Sequence, residues 1–208
     1  AAEKDYAHLV ARGIESHLGR KAELRVRNVY GFECDYRSWD VAKNLREEID
    51  FNPFQTVGKD WMALAMGNKD AMNSMTISWG QCGVLWNKPV FTVYVSSDRF
   101  SKKQMDSNKY FTVSAFPDTR KNKAALTYIG SHSQRDEPEK TKNAGFTVDF
   151  SELGNPLINE ASMVFECKII YKEEIKRNLL PDDVKPSYDN MGLHTMYVGE
   201  IVNVFQKK

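Results

Sequence analysis

The sequence predicts a mostly β domain, a closed or nearly closed barrel with peripheral helices, from three observations. From Phe51 onward the chain is a series of short β-type runs separated by turn residues, the texture of small barrels. Helical spacing fits only between some of those runs. Apolar and polar residues alternate across Met75, Thr76, Ile77 and Ser78, which is the period of a half-buried strand.

The first fifty residues differ in character. Tyr6, Leu9, Val10, Ile14 and Leu18 recur at helical spacing and Gly19 offers a stop, so a helix is expected over 5–19. An edge strand is expected over 24–29 and a second helix over 39–49. Residues 1–46 read as an N-terminal extension of unknown role, and 47–208 as the barrel domain. Within that domain strands are expected over 60–67, 74–80, 90–95, 110–115, 162–172 and 194–205. Helices are expected over 101–108, with Ser101 as N-cap, and over 121–130. Residues 131–145 are polar and without periodicity and read as a loop, and a loop of that length in a compact domain is usually functional or disordered.

A chain of 208 residues is one ordinary domain with room for an appendage. Its 41% apolar and 27% charged residues are those of a soluble globular protein. A net charge of +1 excludes a broad nucleic-acid footprint, and no apolar run is long enough to span a membrane. Cys34, Cys82 and Cys167 lie far apart, with no CxxC spacing and four histidines in all, which makes neither a metal framework nor a disulfide set. Reduced thiols and a cytoplasmic setting are expected. The alternative is export, because removal of a signal ending in small residues would leave a start like Ala1-Ala2-Glu3.

Three constellations carry chemistry. The strand around Met75 to Ser78 ends in small residues beside Trp79, and the run 90–95 follows Pro89. Two such strands joined by a Gly-containing connection form a ledge of backbone donors and acceptors that suits a flat, polar-edged heteroaromatic ring. Next, Arg99 and Ser101 sit where a strong strand gives way to a helix. A helix N-terminus attracts phosphate, and the Arg fork holds phosphate oxygens in pairs. The alternative there is a capped helix with a solvated Arg. In the polar loop, Ser133, Arg135 and Lys140 supply a hydroxyl and two cations, with Asp136 able to hold Arg135; the alternative there is a solvated polar loop. In the last strand, alternation puts His194, Met196 and Val198 on one side and Thr195, Tyr197 and Gly199 on the other. His194 is either a pocket residue or a hydrogen-bonded structural histidine. Cys82 is expected to be plain packing. The chain has no GxGxxG after a strand, no GxxxxGK[ST], no HExxH and no GxSxG.

Taken together, Asp50 to Phe54, Gly58 to Met62, Asn73 to Pro89, Arg99 to Ser101, Tyr110 to Val113, Ser133 to Lys140, Glu166 to Lys168 and His194 to Ile201 resemble the flavin reductase-like family, the FMN-binding split barrels that include flavoredoxin. The resemblance implies a split β-barrel that binds FMN, with NADH or NADPH as electron donor. It implies an NAD(P)H-dependent flavin oxidoreductase that passes electrons to a flavin or to a small or protein acceptor. Alternatives are a flavoredoxin-like carrier without nicotinamide turnover, or a barrel that has lost tight FMN binding. By resemblance, Met75, Thr76, Ile77, Ser78 and Trp79 lie along the isoalloxazine ring, while Arg99, Ser101, Ser133 and Lys140 hold the phosphate and ribityl groups. A homodimer is implied, with a redox partner protein in the carrier case; no metal, membrane or nucleic acid is expected, and no side chain is nominated as catalytic. There are three departures from the family pattern: Ser96-Ser97 stand for Arg-Pro, Ser101 for Thr, and Gln134 for a Gly free to adopt positive φ.

Overall fold

The computed structural model describes residues 51–206. The two helices and edge strand expected before residue 50, the boundary near residue 46, and Cys34 lie outside the described residues. Asn52 starts the described chain by accepting hydrogen bonds from the Phe54 and Gln55 amides, which caps the short helix α1 (Pro53–Gln55). A helical turn continues to Asp60, and Trp61 enters the first strand with φ of 66°.

The strands are β1 (Met62–Gly67), β2 (Met72–Ile77), β3 (Gly80–Leu85), β4 (Lys88–Ser96), β5 (Tyr110–Ala115), β6 (Val148–Phe150), β7 (Pro156–Ile158), β8 (Met163–Glu174) and β9 (His194–Gln206). The helices are α2 (Phe100–Ser107), α3 (Arg120–Ser131) and α4 (Lys140–Asn143). Seven strands form one antiparallel sheet in the order β2-β1-β5-β8-β9-β4-β3, and β6 and β7 make a separate hairpin.

That order puts β2 and β3 at opposite edges, although only Ser78 and Trp79 separate them in the chain. Laid flat, the edges of seven strands would be roughly 29 Å apart at about 4.8 Å per neighbour. Ile77 and Gly80, three Cα steps apart, are separated by at most about 11 Å. The sheet therefore curls until its edges meet, without a ladder between them: a split barrel. Its interior is filled by alternate residues, Phe91, Val93 and Val95 of β4 with Leu64, Phe111, Val113, Phe165 and Tyr197. A second cluster covers the outer face, where Leu126 and Ile129 of α3 pack with Ala63, Phe146 and Val164. Glu166, fully buried on β8, is satisfied by the Asn155 and Asn203 side-chain amides at 2.7 and 2.6 Å and by the Ser151 hydroxyl.

Several sequence expectations need correction. The 80–85 stretch, read as a connection between two strands, is itself strand β3, which pairs with β4 through a two-residue turn at Trp86 and Asn87. Both turn residues have positive φ (51° and 59°), the signature of a type I′ hairpin. A strand rich in Gly and Gln, with a Trp in its turn, carries little of the usual propensity. The strand expected over 74–80 starts at Met72 and ends at Ile77, so β2 and β4 are not partners. The polar loop contains α4, and α2 begins at Phe100 with Arg99, not Ser101, at the N-cap position, which leaves Ser101 inside the first turn. Helix α3 matches its expected span and is capped by Thr119, which accepts from the Asn122 amide at 3.1 Å.

Two outcomes follow for stability. A Cβ on Gly199 would lie 2.5 Å from Phe111 Cζ and 2.7 Å from Cys167 Cβ, all in the barrel core. Gly199→Ala is expected to lower the unfolding free energy by about 1–3 kcal/mol, the usual cost of overpacking, as read by chemical denaturation. At the barrel surface, burial alone would raise the Asp106 carboxyl, but hydrogen bonds from Lys102, Lys172 and the Tyr197 hydroxyl outweigh it and bring it down to about 2. A carboxylate depressed in the folded state stabilises fully above its unfolded value and loses that stabilisation as pH falls through the folded one. Acid titration of wild type should therefore show a stability loss between about pH 4 and 2 that is absent in Asp106→Asn.

Candidate functional site

The seam between β2 and the neighbouring faces of β4 and β9 holds a cavity of about 440 Å³, within the range of roughly 300–1,000 Å³ typical of small-molecule sites. Met75, Thr76 and Ile77 of β2 form one wall with Ser78 and Trp79 of the connection. Tyr94 and Ser96 of β4, His194 of β9 and Asp98, Arg99 and Met191 complete it. The cavity thus gathers Met75, Thr76, Ile77, Ser78, Trp79 and Arg99 from the sequence-predicted set. Ser101, Ser133 and Lys140 do not line it.

Strand β2 pairs only with β1, so its outer edge has no strand partner among the described residues. The Gln134 side-chain amide donates to the Met72 carbonyl. Successive strand residues point their backbone groups to opposite sides, so Met72, Ser74 and Thr76 direct theirs outward while Asn73 and Met75 direct theirs to β1. The ledge expected from two paired strands exists, therefore, as one edge strand running into an exposed Trp79, 48% accessible. The Thr76 hydroxyl is taken by the Leu126 carbonyl and the Ser74 hydroxyl by Thr141 at 2.8 Å, which anchors β2 to the helices behind it. Gln134 sits where the family pattern has glycine, without positive φ.

Beside this ledge lies a group of cations. Arg99, the N-cap of α2, donates from Nη1 to the Gly130 carbonyl at 3.2 Å. Lys140, only 3% exposed, donates from Nζ to the carbonyls of Ile129 and His132 at 3.3 and 3.0 Å. Both cations thus hold the C-terminal end of α3, where unpaired carbonyls and the negative end of the helix dipole favour positive charge. Burial, joined by the Arg99 charge and opposed by Glu137, pushes the Lys140 ammonium down to about 8. The Arg135 guanidinium lies over the Phe100 ring at 5.6 Å, at the start of α2. Ser101, also 3% exposed, accepts from the Asn73 amide at 2.8 Å, and the Ser133 hydroxyl accepts from the Arg135 backbone amide at 3.2 Å.

The remaining wall is polar and aromatic. Ser96 and His194 are directly opposite on β4 and β9. The Ser96 hydroxyl donates to the Gly192 carbonyl at 3.0 Å, and the Asp98 carboxylate accepts from the Gly192 amide. His194 lies between Trp79 (ring centroids 4.7 Å apart) and Tyr188 (5.7 Å). Burial and then Arg99 lower its imidazolium, against the pull of Asp98. Its Nδ1 is buried without a hydrogen-bond partner. Strand alternation had marked His194's face; nothing local pointed to Tyr94, Asp98 or Met191, because they meet the site only through the curl of the sheet and a distant loop. Cys82 is part-buried against the core, and burial raises its thiol to about 11, which leaves it inert as a nucleophile. Among the described residues no cluster of His, Cys, Asp or Glu could hold a metal, and no helix is long and apolar enough to cross a membrane.

Curled sheet, seam cavity and bordering cations define an antiparallel split-barrel protein with a cavity flanked by positive charge. The family model for the flavin reductase like domain matches residues 62–208, and the chain belongs to that family. No curated protein matches it. Among solved structures it is similar to an FMN-binding protein from Thermus thermophilus with bound p-hydroxybenzaldehyde (19% identity, 71% of each chain covered, TM-score 0.55). It is also similar to flavoredoxin from Methanosarcina acetivorans (23% identity, 78% of this chain and 76% of the other, TM-score 0.55). A third likeness is to the Streptomyces globisporus C-1027 NADH:FAD oxidoreductase (18% identity, 71% and 75%, TM-score 0.54). At these identities the likeness establishes the fold.

Because Lys140 serves two carbonyls at the end of α3, Lys140→Met should leave them unsatisfied. The expected cost is about 1–3 kcal/mol, with faster amide exchange in the last turn of α3 as the local readout.

Proposed function

We propose that this chain binds FMN in the seam cavity and acts as an NAD(P)H-dependent flavin oxidoreductase, passing electrons from NADH or NADPH to a flavin or to a small or protein acceptor. The observation that carries the reading is the open backbone edge of β2, flanked by exposed Trp79 on one side and by Arg99 at the start of α2 on the other. A flat heterocycle with polar edges matches that edge, and a phosphate matches the arginine and the N-terminal amides of α2. The solved relatives described as FMN-binding protein, flavoredoxin and NADH:FAD oxidoreductase support it.

Bound flavin would supply the two-electron chemistry; this chain's part is to hold and orient it. The outward backbone groups of Thr76 would receive the ring edge, and Arg99 the phosphate. Ser101 and Lys140 would act from behind, since their polar atoms are already engaged with Asn73 and with the end of α3. Ser133 stands at the turn that carries Arg135, where its hydroxyl can still donate to a ribityl oxygen. A homodimer is part of this reading, and a purely monomeric species in sedimentation equilibrium would remove it.

The half-exposed indole of Trp79 favours one second reading, a carrier that meets a redox partner protein at the open cavity. Anaerobic mixing separates the two: fast bleaching of bound flavin by NADH or NADPH supports the reductase, while slow bleaching with fast reduction by a redox protein supports the carrier. Arg99→Ala should weaken FMN about 10- to 100-fold, the worth of a charge-assisted hydrogen bond, and leave riboflavin binding unchanged. Free-flavin fluorescence that persists when wild type is added would sink the proposal.

A further inference from the structure

Between β8 and β9, antiparallel neighbours that a short turn could join, the chain makes an excursion over residues 176–192. This one is a fastened strap. Its base is closed by the Ile175 amide on the His194 carbonyl at 2.9 Å, and its limbs are joined by the Arg177–Asp189 ion pair. The returning limb is fixed to the rim of the cavity at Gly192, whose amide meets Asp98 and whose carbonyl meets Ser96. A Cβ there would lie 2.1 Å from Ser97 Oγ and 2.6 Å from Asp98 Oδ1, so a larger residue would have to push those side chains, and the Asp98 anchor with them, aside.

Fastening at Gly192 delivers the preceding residue, Met191, to the cavity lining with its side chain 40% exposed. Trp79, on another element, is the other large apolar side chain that is both exposed and part of that lining. Tyr188 of the same strap is buried edge-on against His194 and holds the roof from behind. Single exposed apolar residues are ordinary. Two that border one cavity from separate elements are a surface that an apolar ligand face can cover.

Resting on the flavin reading, we propose that the strap is the specificity element of the site: Met191, held over the cavity by the Gly192 anchor, selects a second reactant with a planar apolar ring. The flavin itself is held by β2 and the cation group. The strap therefore governs what binds beside it, and Met191 is a specificity residue rather than a catalytic one.

The test uses FMN-loaded full-length protein with 1,4-naphthoquinone as the planar probe and no electron donor. Calorimetry should show that Met191→Ala weakens the probe roughly five- to tenfold, as expected for losing part of a Met side chain's contact. Met191→Leu should retain most of the probe affinity; because Met191 lines the same cavity, the FMN dissociation constant is measured for each variant, and the probe should lose the larger factor in Met191→Ala. Hydrogen exchange should slow across 176–192 when the probe is added to wild type. Unchanged probe affinity in Met191→Ala with FMN binding intact, or a strap whose exchange ignores the probe, overturns the inference and leaves the flavin reading standing. Failure of wild type to take up FMN overturns both.

Discussion

The connection of Ser78 and Trp79 between the two edges of one sheet is the constraint on which the rest depends. Seven antiparallel strands could lie as an open twisted sheet. A link of about 11 Å between edges that would otherwise stand roughly 29 Å apart leaves only a curled solution. Curling places β2 beside the outer faces of β4 and β9, far from it in sheet order, and the seam between them is the cavity. The interior then has to be filled, which Phe91, Phe111, Phe165 and Tyr197 do. It also needs one residue without a side chain, Gly199, where the Phe111 ring and Cys167 leave no room.

Closure explains why β2 keeps a free backbone edge. Its inner neighbour is β1, and the split denies it a ladder to β3. An uncovered edge strand is a liability in most folds; here Gln134 covers part of it at Met72, and α3 and α4 grip the Thr76 and Ser74 hydroxyls from behind. What stays open faces the cavity. The departure at Gln134 thus reads differently in three dimensions. The position needs no positive φ, and the longer side chain ties the polar turn to β2.

The cation group has the same economy. Arg99 and Lys140 both serve the end of α3, so their charges are placed by helix capping before any ligand enters. Burial first, and the neighbouring Arg99 charge second, lower the Lys140 ammonium. A structural reading and a binding reading of these residues are therefore compatible, because the first positions the groups used by the second.

Much of this was legible in one dimension. The strand periods at Met75 to Ser78 and through β9, the helix between Thr119 and Ser131, and the motif order that resembles the flavin reductase-like family all follow from spacing and residue type, which local sterics and burial translate directly. The barrel class was legible for the same reason. The strand at Gly80 to Leu85 was not, since its residues have weak strand preference and its partners in β4 hold it there. Nor were the contributions of Tyr94, Asp98, Met191 and the Gly192 anchor, nor the capping duty of Lys140. By itself the sequence determined which segments alternate, which coil and which carry charge. The curl of the sheet decided which of them share a cavity, because strand order and closure depend on pairings between residues far apart in the chain, and no local period records those.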